Sequence, residues 1–101
     1  MENFISSLKY YLINPIKMKV DRKNLDFTTA KEIADKKVKG LSSDSILLAW
    51  YIGKTGEHFP RVECHSEYKP AWIIYAKIRG NDITIDINEE EYVFIYQSQP
   101  S

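Results

Sequence analysis

From Ile46 to Tyr96, apolar positions alternate with polar ones in four or five runs, separated by Gly, Pro or Asn-Asp breaks. Successive side chains of an extended chain point to opposite faces, so this half of the sequence predicts consecutive strands with short connections. Ile46-Leu47-Leu48-Ala49-Trp50-Tyr51-Ile52 is apolar without clean alternation, which predicts a central strand buried on both faces. Gly53 and Gly56 bracket a turn or hairpin loop, and Pro60 closes the irregular region that follows. Arg61 to His65 reads as a short strand. Trp72, Ile74, Ala76 and Ile78 then alternate with Ile73, Tyr75, Lys77 and Arg79 as a further strand. Gly80-Asn81-Asp82 is a tight-turn signal. Ile83, Ile85 and Ile87 alternate with Thr84, Asp86 and Asn88, a strand with one solvated face, and Glu89 to Glu91 turn the chain into a last strand, Tyr92 to Tyr96.

The first half is more helical. Phe4, Ile5, Leu8, Tyr11 and Leu12 recur at spacings of three and four, the stripe of a short helix ending before Pro15. Ile16, Met18 and Val20 alternate with Lys17, Lys19 and Asp21. This is a strand whose lysines suit the edge of a sheet. Thr29 and Glu32 form a capping box, with Thr28 or Asp26 as alternative caps, for a helix whose buried stripe is Ala30, Ile33, Ala34, Val38 and Leu41. Gly40 is its expected left-handed stop.

These elements predict an α+β fold: a mainly antiparallel sheet of about five or six strands packed against one principal helix, plus a short N-terminal helix. The expected organisation is a helical appendage over residues 1–15, one domain over 16–96 and a frayed tail over 97–101.

Composition narrows the function. Lys plus Arg equals Asp plus Glu at 14 each, so there is no net positive field to displace counterions, and nucleic acid is a disfavoured partner. No apolar run approaches the ~20 residues needed to cross a bilayer. The start of the chain has no basic segment ahead of an apolar one, and Cys64 is the single cysteine; both fit a reducing cytoplasm.

Candidate chemistry is sparse. Cys64 with His58 or His65 offers a thiol and a base, as nucleophilic catalysis requires. On a strand, however, Cys64 and His65 face opposite ways, and no paired zinc-ligand spacing is present, so no metal or cofactor is expected. Asp82, Asp86, Asn88 and Glu89 to Glu91 are oxygen donors, but a solvated sheet face accounts for their alternation without a cation. Tyr68, Lys69, Trp72, Tyr75, Lys77, Arg79 and Tyr92 mix aromatic and basic groups, yet lack the pattern of a base-stacking sheet.

The runs Ile46-Leu47-Leu48-Ala49-Trp50-Tyr51, Pro60-Arg61-Val62-Glu63-Cys64, Lys69-Pro70-Ala71-Trp72 and Glu91-Tyr92-Val93-Phe94-Ile95-Tyr96 resemble a family of small prokaryotic domains of unknown function. The resemblance covers Met18 to Tyr96. It implies a compact α+β domain of bacterial or archaeal source, and it carries over no site residues.

The favoured expectation is a non-enzymatic binding or assembly module acting as a homodimer or with a protein partner. Its motive is an apparent excess of sheet over helix: Tyr51, Ile73, Tyr75, Tyr92, Phe94 and Tyr96 need cover that one helix does not supply. The alternative is a small enzyme or ligand-binding protein with a pocket near Arg61, Glu63, Cys64 and His65. Trp72 and Tyr75 are further binding candidates.

Overall fold

The computed structural model of the protein describes residues 12, 14–21, 23–60 and 71–99. In chain order these form β1 (Ile16–Met18), α1 (Phe27–Leu41), β2 (Ser45–Ile52), β3 (His58–Phe59), α2 (Ala71–Ile78), β4 (Ile83–Ile87) and β5 (Tyr92–Ser98). The five strands make one sheet in the order β1-β4-β5-β2-β3. Three of its four pairings are antiparallel, and β1 runs parallel to β4. The fold is therefore α+β with a mixed, predominantly antiparallel sheet. The expected helix before Pro15 lies outside the described residues, although Leu12 is buried beneath the sheet.

α1 starts from the alternative cap, and Thr29 of the expected capping box lies inside the helix. Asp26 is the cap, its carboxylate accepting the Thr29 amide at 2.8 Å, which holds that carboxyl below the usual carboxylate range. Ala30, Ala34 and Val38, four residues apart, are buried against Ile85, Ile87, Tyr92, Phe94 and Tyr96 of β4 and β5. Small alanines let the helix approach closely, so the large side chains come from the strands. Each fully buried Phe or Ile there contributes about 1.5–3 kcal/mol.

α1 does not stop at Gly40. It continues to Leu41, and the Ser42 amide closes it on the Val38 carbonyl at 2.8 Å. Gly40 is thus an ordinary exposed helical position, and a Cβ there meets nothing within 4 Å. Gly40→Ala is expected to stabilise the domain by about 0.5–1 kcal/mol through helix propensity and a less disordered unfolded chain, checked by urea denaturation.

The largest departure from the sequence expectation is α2. Residues 72–78 do not form a strand; Ala71–Ile78 is helical, with Trp72, Ile73 and Ala76 buried and Ile78 exposed. The buried positions fall at i, i+1 and i+4, one side of a helix. Gly80 is the left-handed residue after the helix end (φ 80°). Its amide donates to the Lys77 carbonyl and the Asn81 amide to the Ala76 carbonyl, each at 3.1 Å, a Schellman stop rather than a hairpin turn.

α2 packs on the sheet face opposite α1. There Trp72, Ile73 and Ala76 meet Leu48, Ala49, Val93 and Ile95. The sheet thus carries a helix on each side. Tyr92, Phe94 and Tyr96 are buried under α1, and Tyr51 packs on Trp72, so the expected uncovered face does not exist. The strands buried on both faces are β4 and β5; β2 is the second strand from the margin and only partly buried. Thr84 and Asp86, expected on a solvated face, are likewise buried. β1 stands at the other margin, as exposed Lys17 within it and Lys19 just beyond it anticipate.

β5 runs two residues beyond Tyr96. Its end is held by Asp82, whose carboxylate accepts the Ser98 amide at 2.8 Å and also the Ser98 hydroxyl. Between β5 and α1, the Tyr96 hydroxyl donates to Asp35 at 2.6 Å, and Asp35 in turn pairs with Lys31 at 2.9 Å. Burial, reinforced by the hydrogen bond to Asp35 and its negative charge, pushes the Tyr96 phenol above its usual range. The unfolded chain ionises this tyrosine near pH 10 while the folded chain retains the proton. Stability from this group is therefore complete below that pH and falls as pH rises. Tyr96→Phe is expected to lose about 1 kcal/mol near neutral pH and to show a weaker decline in strongly alkaline buffer, read from unfolding midpoints.

Candidate functional site

Two regions of the sheet carry side chains that core packing alone does not account for. The first is the margin built by β2 and β3. A hairpin joins them, the Gly56 amide donating to the Ile52 carbonyl and the Ile52 amide to the Glu57 carbonyl, each at 2.8 Å. Gly56 supplies the left-handed backbone that this turn requires (φ 79°). The pairing sets Trp50 opposite Phe59 and Tyr51 opposite His58, so each pair shares one face of the sheet.

On the α1 side, Phe59 stacks on Trp50 with centroids 6.1 Å apart and planes 16° apart. Trp50 tilts against Phe27 at 4.8 Å, and Phe27 reaches the buried Phe94 at 5.6 Å. A chain of four aromatic rings therefore runs from the core to a surface residue, Phe59, that is 47% exposed. On the α2 side, Tyr51 stacks on Trp72 at 5.1 Å and 7°. Half-buried His58 is beside Tyr51, its Nδ1 3.3 Å from the Pro60 carbonyl oxygen.

The structure thus brings two of the sequence candidates, His58 and Trp72, to the same tyrosine. Trp72 is buried as core, not presented as a ligand platform. Tyr75 lies half-buried on α2 and carries the Arg79 guanidinium 4.5 Å above its ring. Arg61, Glu63, Cys64 and His65 lie outside the described residues. Phe59, Trp50 and Phe27 were not singled out by the sequence. The only signal was the apolar Phe59 between His58 and Pro60, too short a run to read as a strand.

The second region is the turn from β4 to β5. Asn88, Glu89 and Glu90 have φ of 54°, 52° and 73°, three consecutive residues other than glycine in the left-handed region. Such a conformation costs about 1–2 kcal/mol per ordinary residue, somewhat less for Asn. Hydrogen bonds offset it. The Glu90 amide donates to the buried Asp86 carboxylate at 2.6 Å, and the Glu91 amide to the Ile87 carbonyl at 3.0 Å. The Asn88 amide donates to Met18 at 2.9 Å; its side chain accepts from the Val20 amide at 2.8 Å and donates to the Val20 carbonyl at 3.0 Å. One side chain thereby stands in for a strand residue and prolongs the β1–β4 pairing. The Gly53 amide donates to the Glu91 carbonyl at 2.8 Å, and Lys54 pairs with Glu91 at 3.5 Å.

The acidic residues of the sequence therefore do not form one cluster. Asp82 clamps the far end of β5, Asp86 is committed to the turn, and Glu89 is exposed. Among the described residues, no three His, Cys, Asp or Glu side chains converge as a metal site would require. No described helix is long and apolar enough to cross a membrane.

The model of a family described as a domain of unknown function, DUF5619, matches residues 13–96. The chain belongs to that family. An uncharacterized protein of the archaeon Archaeoglobus fulgidus is 38% identical over 74 residues, covering 70% of this chain and 79% of that relative. The crystal structure of a novel protein from the same organism superposes with a TM-score of 0.76 at 26% identity, over 89% of this chain and 99% of that one. The DUF5619 match spans both helices and the strands from β1 to Tyr96 in β5, so the sandwiched sheet is the architecture of the family region. It assigns no reaction and no site residue.

Proposed function

We propose that this DUF5619 domain is a non-enzymatic binding or assembly module that docks through the β2–β3 margin, and that the partner is a second copy of the chain. One observation carries the reading: β2, eight residues without a charge, is paired on its outer side, among the described residues, by only the two residues of β3. Exposed strands are ordinarily guarded by charge, proline or brevity, and Ser45–Ile52 has none of these guards. Ile46 and Phe59, about half exposed, add apolar surface along the same margin. An uncharged strand set antiparallel to its own copy opposes no like charges, which favours a symmetric dimer. The earlier motive for self-association, an uncovered sheet face, is removed by α2; the margin replaces it.

The test combines sedimentation velocity with amide exchange of Ser45 to Ala49, from roughly 1 µM to 1 mM, a range that spans moderate to weak affinities. Expected are a dimer at high concentration and, for the amides of this segment that point away from β5, exchange that is fast when dilute and slow when concentrated. Ile46→Lys should abolish both effects and leave the circular dichroism unchanged, because Ile46 is 49% exposed. A monomer with fast exchange throughout would exclude a second copy while leaving the margin open to another protein. A monomer with slow exchange at every dilution would show the margin covered within the chain and overturn the whole reading.

A further inference from the structure

We draw no further inference here: the strongest candidate, the buried Asp86 and Glu90 side chains at the β4–β5 turn, is an acidic pair whose Asp86 carboxylate already accepts the Glu90 amide, and no converging set of metal-ligating side chains among the described residues says what it would hold.

Discussion

Gly53→Ala is expected to destabilise the domain by about 3 kcal/mol, lowering the unfolding temperature of a chain this size by roughly 10–20 °C. An added Cβ would sit 2.3 Å from the Glu90 carbonyl oxygen, 3.3 Å from its carbon and 3.4 Å from the Glu91 Cα. All three are backbone atoms of the left-handed turn, where no side-chain rotation relieves the clash. Displacing them would also disturb the Gly53 amide bond to Glu91 and the geometry that lets Asp86 accept the Glu90 amide. Gly56→Ala is the internal control. It lies in the same hairpin and, unlike Gly53, has a positive φ, but its added methyl meets nothing within 4 Å. Its loss should be near 1 kcal/mol, from backbone conformation alone. Equal losses at the two glycines, measured by urea denaturation, would contradict the close approach at Gly53.

The second large effect is expected at Trp72. Trp72→Ala removes a side chain that is 2% exposed, stacked on Tyr51 and packed among Leu48, Ala49, Val93 and Ile95. A loss of about 3–5 kcal/mol follows from cavity formation and lost transfer energy. The near-ultraviolet signal of the stacked pair should disappear with it. Tyr75→Ala, on the more exposed side of the same helix, should lose well under half as much. If the two substitutions proved equivalent, α2 would not be the element that closes the second face.

The contrast between α1 and α2 shows what the sequence could and could not convey. α1 is fifteen residues long and rich in Lys, Glu, Asp and Ala, so its helical period has room to repeat and its cap stands out. α2 is eight residues, Ala-Trp-Ile-Ile-Tyr-Ala-Lys-Ile, and five of them are aromatic or β-branched, types enriched in strands. Two turns of helix leave too few positions to separate the two periods. The deciding marks were at the ends: Pro70, which suits the start of a helix, and Gly80, which suits its stop. Both also read as strand breakers.

The polar faces misled for a related reason. Thr84 and Asp86 on an alternating strand imply solvent, whereas Asp86 is buried and bonded to a backbone amide that only the folded turn supplies. The margin was half legible. The hairpin at Gly53 to Gly56 followed from its glycines, but the stacking of Phe59 on Trp50 depends on a register that a two-residue strand does not advertise.

The turn at residues 88–91 has a mechanical consequence. Met18 at the end of β1, Val20 just past it, Ile87 at the end of β4, Gly53 after β2 and the start of β5 are all fastened to it. No strand end in that group peels away without loosening the knot that secures the others. Thermal fraying is therefore forced to the opposite pole, where Asp82 and Ser98 form a lighter clasp, and the knotted pole should surrender its amide protons only when the entire molecule comes apart.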